Sequence, residues 1–373
     1  MDDEVPELVD ATEPESTKVI PVTILTGFLG SGKTTLLSNI LSSSHGKRIA
    51  VIENEFSEGL GIEGMIAKSG IDGSNISGFF ELNNGCICCT VKNDLVQTLE
   101  QLVKHKDRFD YIVIETTGVA NPGPVITSFW TDEDLDSSLK IDGVVCVVDC
   151  VNILSYLSTI DISNDVKLQI CYADRIILNK CDLISDVSEI DKIEQIIHSM
   201  NNLAQIQRSS YSNVGPEWVL DINCFSMYDI SKLGITAHND NNIFASVCNT
   251  GVYDTTATNI YSSKHCAESL QTFSLQFDGF FDLSLLKRLL DRTLYNNNQP
   301  QKDSSPQVYR MKGLIKVSGG DTFHILQSVH DIFDIQPSAY IISSADVNKL
   351  IFIGRNIKLE ETKDSLSACL VSS

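Results

Sequence analysis

Gly27-Phe28-Leu29-Gly30-Ser31-Gly32-Lys33-Thr34 follows the apolar run Val22-Thr23-Ile24-Leu25 and precedes Leu36, Leu37, Ile40 and Leu41 at helical spacing. A strand, a glycine loop and a helix in that order make a phosphate cradle. Gly27, Gly30, Ser31 and Gly32 let successive backbone N–H groups wrap oxyanions, and the helix N-terminus adds its positive end. Lys33 is placed to neutralise the β- and γ-phosphates of a nucleoside triphosphate, and the Thr34 hydroxyl to ligate Mg2+, with Thr35 beside it. Asn179-Lys180-Cys181-Asp182 follows the apolar run Ile176-Ile177-Leu178. In a doubly wound sheet this is the edge where a base lies. The Asp182 carboxylate can accept from both the ring N–H and the exocyclic amine of guanine. Adenine presents no such donor pair, so GTP is the expected nucleotide, with Asn179 and Lys180 completing the base site.

Ile112-Val113-Ile114-Glu115-Thr116-Thr117-Gly118 is an apolar strand that ends in an acid. Glu115 is predicted to lie near Mg2+ or its water, and the Gly118 amide to sense the γ-phosphate. Lys33, Thr34 and Glu115 are therefore the catalytic candidates. The glutamine that orients water in many GTPases has no counterpart after Glu115, so slow intrinsic hydrolysis is expected.

Cys86, Cys88 and Cys89 place three thiols within four residues. That spacing can hold a borderline metal such as Zn2+ through two or three thiolates and leave a position open. An incomplete cage suits transfer; a redox dithiol or buried inert cysteines are the other readings of the same triplet. The cluster lies between Glu53-Asn54-Glu55-Phe56-Ser57-Glu58, the expected switch I region, and Glu115 of switch II. Glu53 and Glu58 are the carboxylates available to complete a metal shell, and a metal held there would feel the nucleotide state. Spacing does not separate zinc from cobalt or another divalent ion, because most N/S sites bind along one common affinity order. A zinc-sensing module that binds GTP without productive turnover is a further reading.

These groups need a scaffold that brings loops from distant segments to one edge. The runs 22–25, 49–52, 111–114, 144–148 and 176–178 are apolar without alternation, as strands covered on both faces are. Between them Leu95, Val96, Leu99, Leu102 and Val103, and later Ile190, Ile193, Ile196 and Ile197, repeat at helical spacing. Alternating strands and helices predict an α/β P-loop domain with a mostly parallel, doubly wound sheet. Polar turn-formers dominate residues 228–267, which read as a linker. A smaller α/β unit follows, built on Ser269–Leu275, Gly313–Val317 and Lys349–Ile353. Cys146, Cys150, Cys171 and Cys181 lie on or near core strands and read as packing. The expected division is a disordered acidic tail (1–17), a P-loop domain (18–227), the linker (228–267) and a C-terminal domain (268–373).

Length and charge bound what this scaffold does. The chain has 373 residues, 49 acidic against 28 basic, and a formal net charge of −21. That balance disfavours nucleic acids and anionic membranes as partners. No apolar run approaches the ~20 residues of a membrane span. The start, Met1-Asp2-Asp3-Glu4, is acidic where export and import peptides are basic, so a cytoplasmic location, with nuclear access open, is expected. Eleven cysteines without an export signal argue for metal or thiol chemistry over a disulfide framework.

Taken together, Thr26–Leu37, Val51–Phe56, Asn84–Cys89, Glu115–Pro122, Asn179–Leu183, Lys312-Gly313 and Phe352–Arg355 resemble the CobW-type metallochaperone GTPases. The resemblance runs in order over roughly 20–360. Within that family Val5-Pro6-Glu7-Leu8-Val9 is similar to the N-terminal docking motif of the eukaryotic zinc-regulated GTPase metalloprotein activators, carried here by Val5, Pro6, Leu8 and Val9. The resemblance implies a GTP-driven chaperone that delivers Zn2+ to a client metalloenzyme, a type 1 methionine aminopeptidase, docked through the tail. Ser57 stands where the family commonly has glycine, Lys92-Asn93 where Arg-Gly is frequent, and Asp10 where proline often closes the docking motif.

Overall fold

The computed structural model describes residues 19–53, 91–131, 138–224, 270–295, 306–342 and 347–371, and the five continuous apolar runs all become strands of one sheet. In chain order the first unit is β1 (Ile20–Thr26), α1 (Lys33–Ser42), β2 (Ile49–Glu53), α2 (Val91–Val103), β3 (Tyr111–Glu115), α3 (Gly123–Thr131) and β4 (Leu139–Asp149). It continues with α4 (Ile153–Ser158), α5 (Ile160–Tyr172), β5 (Arg175–Asn179), α6 (Val187–Met200) and β6 (Gln205–Arg208). The six strands lie in the order β2-β3-β1-β4-β5-β6, and every pairing is parallel. Except in the exposed edge strand β6, side chains on both faces are buried because helices cover both, which is why these strands show no polar alternation. From β1 the chain serves β2 and β3 on one side and β4, β5 and β6 on the other. The carboxyl end of β1 is thus the topological switch point, where ligands bind in open α/β sheets.

Helical periodicity translates directly into buried stripes. Leu95, Leu99 and Leu102 of α2, and Ile190, Ile193 and Ile197 of α6, are turned into the core. Asp186 caps α6 by accepting from the Ser188 N–H at 2.9 Å.

One irregularity in the sheet is a polar anchor. The register of β4 against β1 slips at Val22/Thr23, so Val22 faces Ile141 while Thr23 faces Gly143. The skipped residue, Asp142, is buried and accepts hydrogen bonds from the Tyr111 hydroxyl, the Ile222 N–H (2.6 Å) and the Asn223 N–H (2.8 Å). Thr23 donates to the Val219 carbonyl at 2.7 Å. Burial and the neighbouring Asp142 carboxylate push the Tyr111 hydroxyl far above its ordinary range, so it stays a donor. The bulge thereby ties the segment after β6 to the sheet's centre.

The second unit comprises β7 (Leu270–Phe277), β8 (Phe280–Phe281), α7 (Leu283–Tyr295), β9 (Gln307–Lys316), β10 (Thr322–Val329), β11 (Ile332–Ile341), β12 (Asn348–Arg355), α8 (Leu359–Ser367) and β13 (Leu370–Val371). The three apolar runs expected to carry it become β7, β9 and β12. Its five-stranded sheet, β11-β10-β9-β12-β7, is antiparallel throughout. The β10–β11 hairpin lacks a comparable signal in sequence, being interrupted by His324, Gln327 and Pro337. Proline is tolerated because β11 is the sheet edge. Leu286, Leu290 and Leu294 of α7 and Leu366 of α8 pack against Leu275, Met311, Ile315, Leu350 and Phe352.

β9 alternates between two neighbours. Met311 and Ile315 join the helices of their own unit, while Arg310 and Lys312 reach the first unit. Arg310 donates to the Tyr172 carbonyl (2.8 Å) and pairs with the buried Asp174, which also accepts from Lys312 at 3.3 Å. No helix among the described residues is long and apolar enough to cross a membrane.

Candidate nucleotide and metal site

β1 ends at Thr26, and the chain reverses through a loop whose backbone only glycine accepts at two points. Gly27 has φ 140°, and a Cβ there would meet the Val147 carbonyl oxygen at 2.3 Å. Gly32 has φ 110°, and a Cβ there would meet Asn179 Nδ2 at 2.4 Å and Ser212 Oγ at 2.7 Å. The loop therefore lies flush against the ends of β4 and β5. Lys33 opens α1 and turns back into the loop, its ammonium donating to the Gly27 carbonyl at 2.8 Å. The N-terminus of α1 carries no side-chain cap. The Ser31 hydroxyl is buried with no hydrogen-bond partner. An uncapped helix start, a buried cation and an unsatisfied hydroxyl around one glycine loop are the donor set that a polyphosphate requires.

Thr34 and Thr35 are exposed beside this loop. The Thr34 hydroxyl donates to Glu115 Oε1 at 3.0 Å, joining the P-loop to the end of β3. A hydroxyl and a carboxylate in contact next to a phosphate cradle are hard oxygen donors, which fits Mg2+. Glu53 stands opposite Glu115 in the β2–β3 register, so the chain enters the expected switch I region from that same edge. At Gly118 the chain passes so close to the P-loop that a Cβ would lie 2.6 Å from the Leu29 nitrogen. Gln169 of α5, fully buried, donates to the Gly118 and Ala120 carbonyls at 3.0 and 3.1 Å.

The base edge is equally knitted. Asn179 donates to the Ser31 carbonyl and to the Ser212 hydroxyl, both at 2.8 Å, and its Oδ1 accepts from the Ser212 N–H at 2.8 Å. Ser212 in turn donates to the Gly32 carbonyl at 3.0 Å. Lys180, at φ 65°, forms an ion pair with Asp149 at 2.7 Å. Burial works against the Asp149 charge, yet the bonds from Lys180, Asn152 and Val151 outweigh it and hold the carboxyl below its usual range. Asp182 follows in a short 3-10 turn and is exposed.

Gly27, Gly30, Ser31, Gly32, Lys33, Thr34, Glu115, Gly118 and Asn179 thus converge on one edge of the sheet. Asp149, Gln169 and Ser212 belong to the same constellation and went unread in sequence. The polar run Ser209-Ser210-Tyr211-Ser212 just after β6 was the available signal for the last of them. Cys86, Cys88, Cys89, Glu58, the Glu53 side chain, the docking residues Val5, Pro6, Leu8 and Val9, and the segment 228–267 lie outside the described residues. Among the described residues no group of three or more His, Cys, Asp or Glu could hold a metal. Cys146, Cys150 and Cys171 are buried as expected, with burial pushing the Cys146 thiol up to about 12. Cys181 is only half-buried.

Known proteins share this arrangement. Residues 21–208 match the CobW/HypB/UreG nucleotide-binding domain, and residues 270–370 match the cobalamin synthesis protein cobW C-terminal domain. Zinc-regulated GTPase metalloprotein activator 1 of Schizosaccharomyces pombe is 36% identical over 351 residues, 91% of this chain and 83% of that protein. Its namesake in Saccharomyces cerevisiae is 31% identical over 379 residues, 96% of this chain and 86% of that protein. The crystal structure of the Zn(II)-bound YjiA GTPase from E. coli aligns over 95% of this chain and 99% of its own, with a TM-score of 0.65 and 25% identity. A P-loop sheet of this order, joined to an antiparallel C-terminal sheet and matched over nearly the whole chain, makes this protein a member of the CobW family, in the branch of the zinc-regulated GTPase metalloprotein activators.

Proposed function

We propose that this protein is a GTP-hydrolysing zinc chaperone that hands Zn2+ to a client metalloenzyme. The observation that carries the reading is the Thr34–Glu115 hydrogen bond at 3.0 Å, with Glu53 in register opposite Glu115. The nucleotide-binding edge and the entry to the segment bearing Cys86, Cys88, Cys89 and Glu58 are therefore one place. GTP is the substrate. Its phosphates would sit against the backbone of 27–35 and Lys33, and its base against Asn179, Lys180 and Asp182. Mg2+, held by Thr34 with Glu115 beside it, supplies charge neutralisation on the phosphates when bound. Zn2+ is cargo, taken by Cys86, Cys88 and Cys89 with Glu53 or Glu58. Its affinity depends on the γ-phosphate in this cycle, so that hydrolysis releases it.

The zinc assignment draws support from the relatives named zinc-regulated and from the Zn(II)-bound neighbour. We assign the tail (1–17) to client docking through Val5, Pro6, Leu8 and Val9, with a cytoplasmic type 1 methionine aminopeptidase as the client. The P-loop domain (18–227), linker (228–267) and C-terminal domain (268–373) complete the division.

The test is Zn2+ affinity by competition with a chromophoric chelator, with GDP and with a non-hydrolysable GTP analogue. It is run on native protein and on a Cys86/Cys88/Cys89→Ser variant. Tighter binding in the GTP state that vanishes in the variant is expected. Equal affinity in both nucleotide states would overturn the cycle, since a ligand with no preference between states shifts neither. Tighter Co2+ than Zn2+ binding, referred to their ordinary affinity order, would reassign the cargo.

A further inference from the structure

Two further thiols meet at the base edge, away from the Cys86–Cys89 cluster. Cys150 follows the last residue of β4, and Cys181 lies within the N-K-x-D segment after β5. They are 31 residues apart in sequence, and their Sγ atoms are 3.6 Å apart. The backbones around them are already laced: the Cys150 N–H donates to the Asn179 carbonyl at 3.0 Å, and Lys180 pairs with Asp149 at 2.7 Å. Cys150 is buried among Ile153, Ile176 and Leu178, whereas Cys181 is half-buried at the rim of the same cluster. The two sulfurs are in direct contact, and one of the pair keeps partial exposure at the rim.

We propose that Cys150 and Cys181 are a reversible disulfide site that takes oxidising equivalents from a low-molecular-weight disulfide of the glutathione class and thereby weakens guanine-nucleotide binding. Only the second half of this rests on the proposed guanine site. The accessible Cys181 is the entry sulfur. As thiolate it attacks one sulfur of glutathione disulfide, breaking that S–S bond and releasing one glutathione thiolate, which collects a proton. Cys150 then attacks the Cys181 sulfur of the mixed disulfide and expels the second glutathione, whose thiolate takes up the Cys150 proton. Two protein thiols are oxidised and one glutathione disulfide is reduced to two thiols. Burial, with Cys181 and Asp149 close by, pushes the Cys150 thiol above its ordinary range, which makes this second step the slow one.

Closing the sulfurs from 3.6 Å to the ~2.05 Å of a disulfide draws Cys181 toward β4. It also removes the bond that Cys181 Sγ donates to the Leu178 carbonyl at 3.1 Å. Asp182, the next residue, moves with it. Misplacing one carboxylate hydrogen bond to the base corresponds to about a tenfold loss of affinity.

The experiment equilibrates the full chain in glutathione buffers of graded ratio, then traps thiols, digests and maps cross-links by mass. GDP affinity is measured in parallel on reduced and oxidised protein. A peptide joining Cys150 to Cys181, reversed by reductant and accompanied by about tenfold weaker GDP binding, is expected. In Cys181→Ser and Cys150→Ala variants the GDP affinity should no longer respond to the oxidant. Cross-links confined to Cys86, Cys88 and Cys89, or mixed disulfides that never resolve onto Cys150, would overturn the site. A Cys150–Cys181 link with unchanged GDP affinity would overturn the gating. If reduced protein fails to bind GDP at all, it is the guanine-site reading that falls, and the cross-link map on native protein still decides the thiol pair.

Discussion

In the proposed function nucleotide choice turns on Asp182, because a carboxylate there matches a pair of donors on guanine that adenine does not present at that edge. A site built to pair a substrate's N–H groups rejects an analogue lacking them by about 10⁴-fold. Asp182→Ala should therefore bring GTP and ATP affinities to within about tenfold of each other, as read by competition against a fluorescent GDP analogue. Retained discrimination in that variant would remove Asp182 from the base site. Lys33, Gly27 and Gly32 were legible in the sequence because their spacing is local: the loop's shape depends on φ values that glycine alone adopts comfortably. Ser212 was not legible, since its role arises from contacts with Asn179, 33 residues away, and with Gly32, 180 residues away.

Among the elements, the bulge in β4 shows how one acid can hold a segment with little secondary structure of its own. Asp142 accepts from Tyr111, Ile222 and Asn223, and the segment it holds buries Val219, Leu220 and Ile222 against α1 and the sheet. Asp142→Ala would leave buried donors unmatched at a cost of about 2–4 kcal/mol, measurable as a lowered urea midpoint. A midpoint within experimental error of the native one would show that water replaces the carboxylate. Five of the six parallel strands and the helices α1, α2 and α6 were readable because continuous apolar runs and 3.6-residue stripes report burial directly. The β10–β11 hairpin was not, because its residues pair antiparallel at an edge where polar groups and Pro337 are tolerated.

Across the whole molecule, the two units are joined by buried charge. Asp174 lies beside Arg310 and Lys312, and burial, which opposes its ionisation, is outweighed by these two cations, so its carboxyl is held below the ordinary range. Its contribution to stability is therefore present above the unfolded value of about 3.9 and is lost as pH falls through the lower folded value. Asp174→Asn should cost about 3–5 kcal/mol near neutrality, because it removes the buried carboxylate that faces both Arg310 and Lys312. The gap from native protein should hold from about pH 5 to 8 and shrink below about pH 4, as followed by urea unfolding at each pH. A gap that stays constant to pH 3 would show that the ionised form of Asp174 is not what stabilises the junction. The same region couples geometry: α5 contacts the Gly118 and Ala120 carbonyls through Gln169 and offers its Tyr172 carbonyl to Arg310. The C-terminal sheet thus leans on the helix that touches the segment after β3.

The amino-acid sequence alone determined the P-loop, the parallel strand runs, the helix faces, the Asn179–Asp182 motif and the thiol triplet. Each depends on residues close together in the chain or on a repeating burial pattern. Only the tertiary structure decided which distant side chains meet: Thr34 with Glu115 over 81 residues, Asn179 with Ser31 over 148, and Asp174 with Arg310 over 136. It also turned Cys150 and Cys181 from two packing residues into a facing pair. Local propensity and periodicity act within a few turns of chain, whereas contacts between strand ends are set by strand order and register, which no local signal encodes.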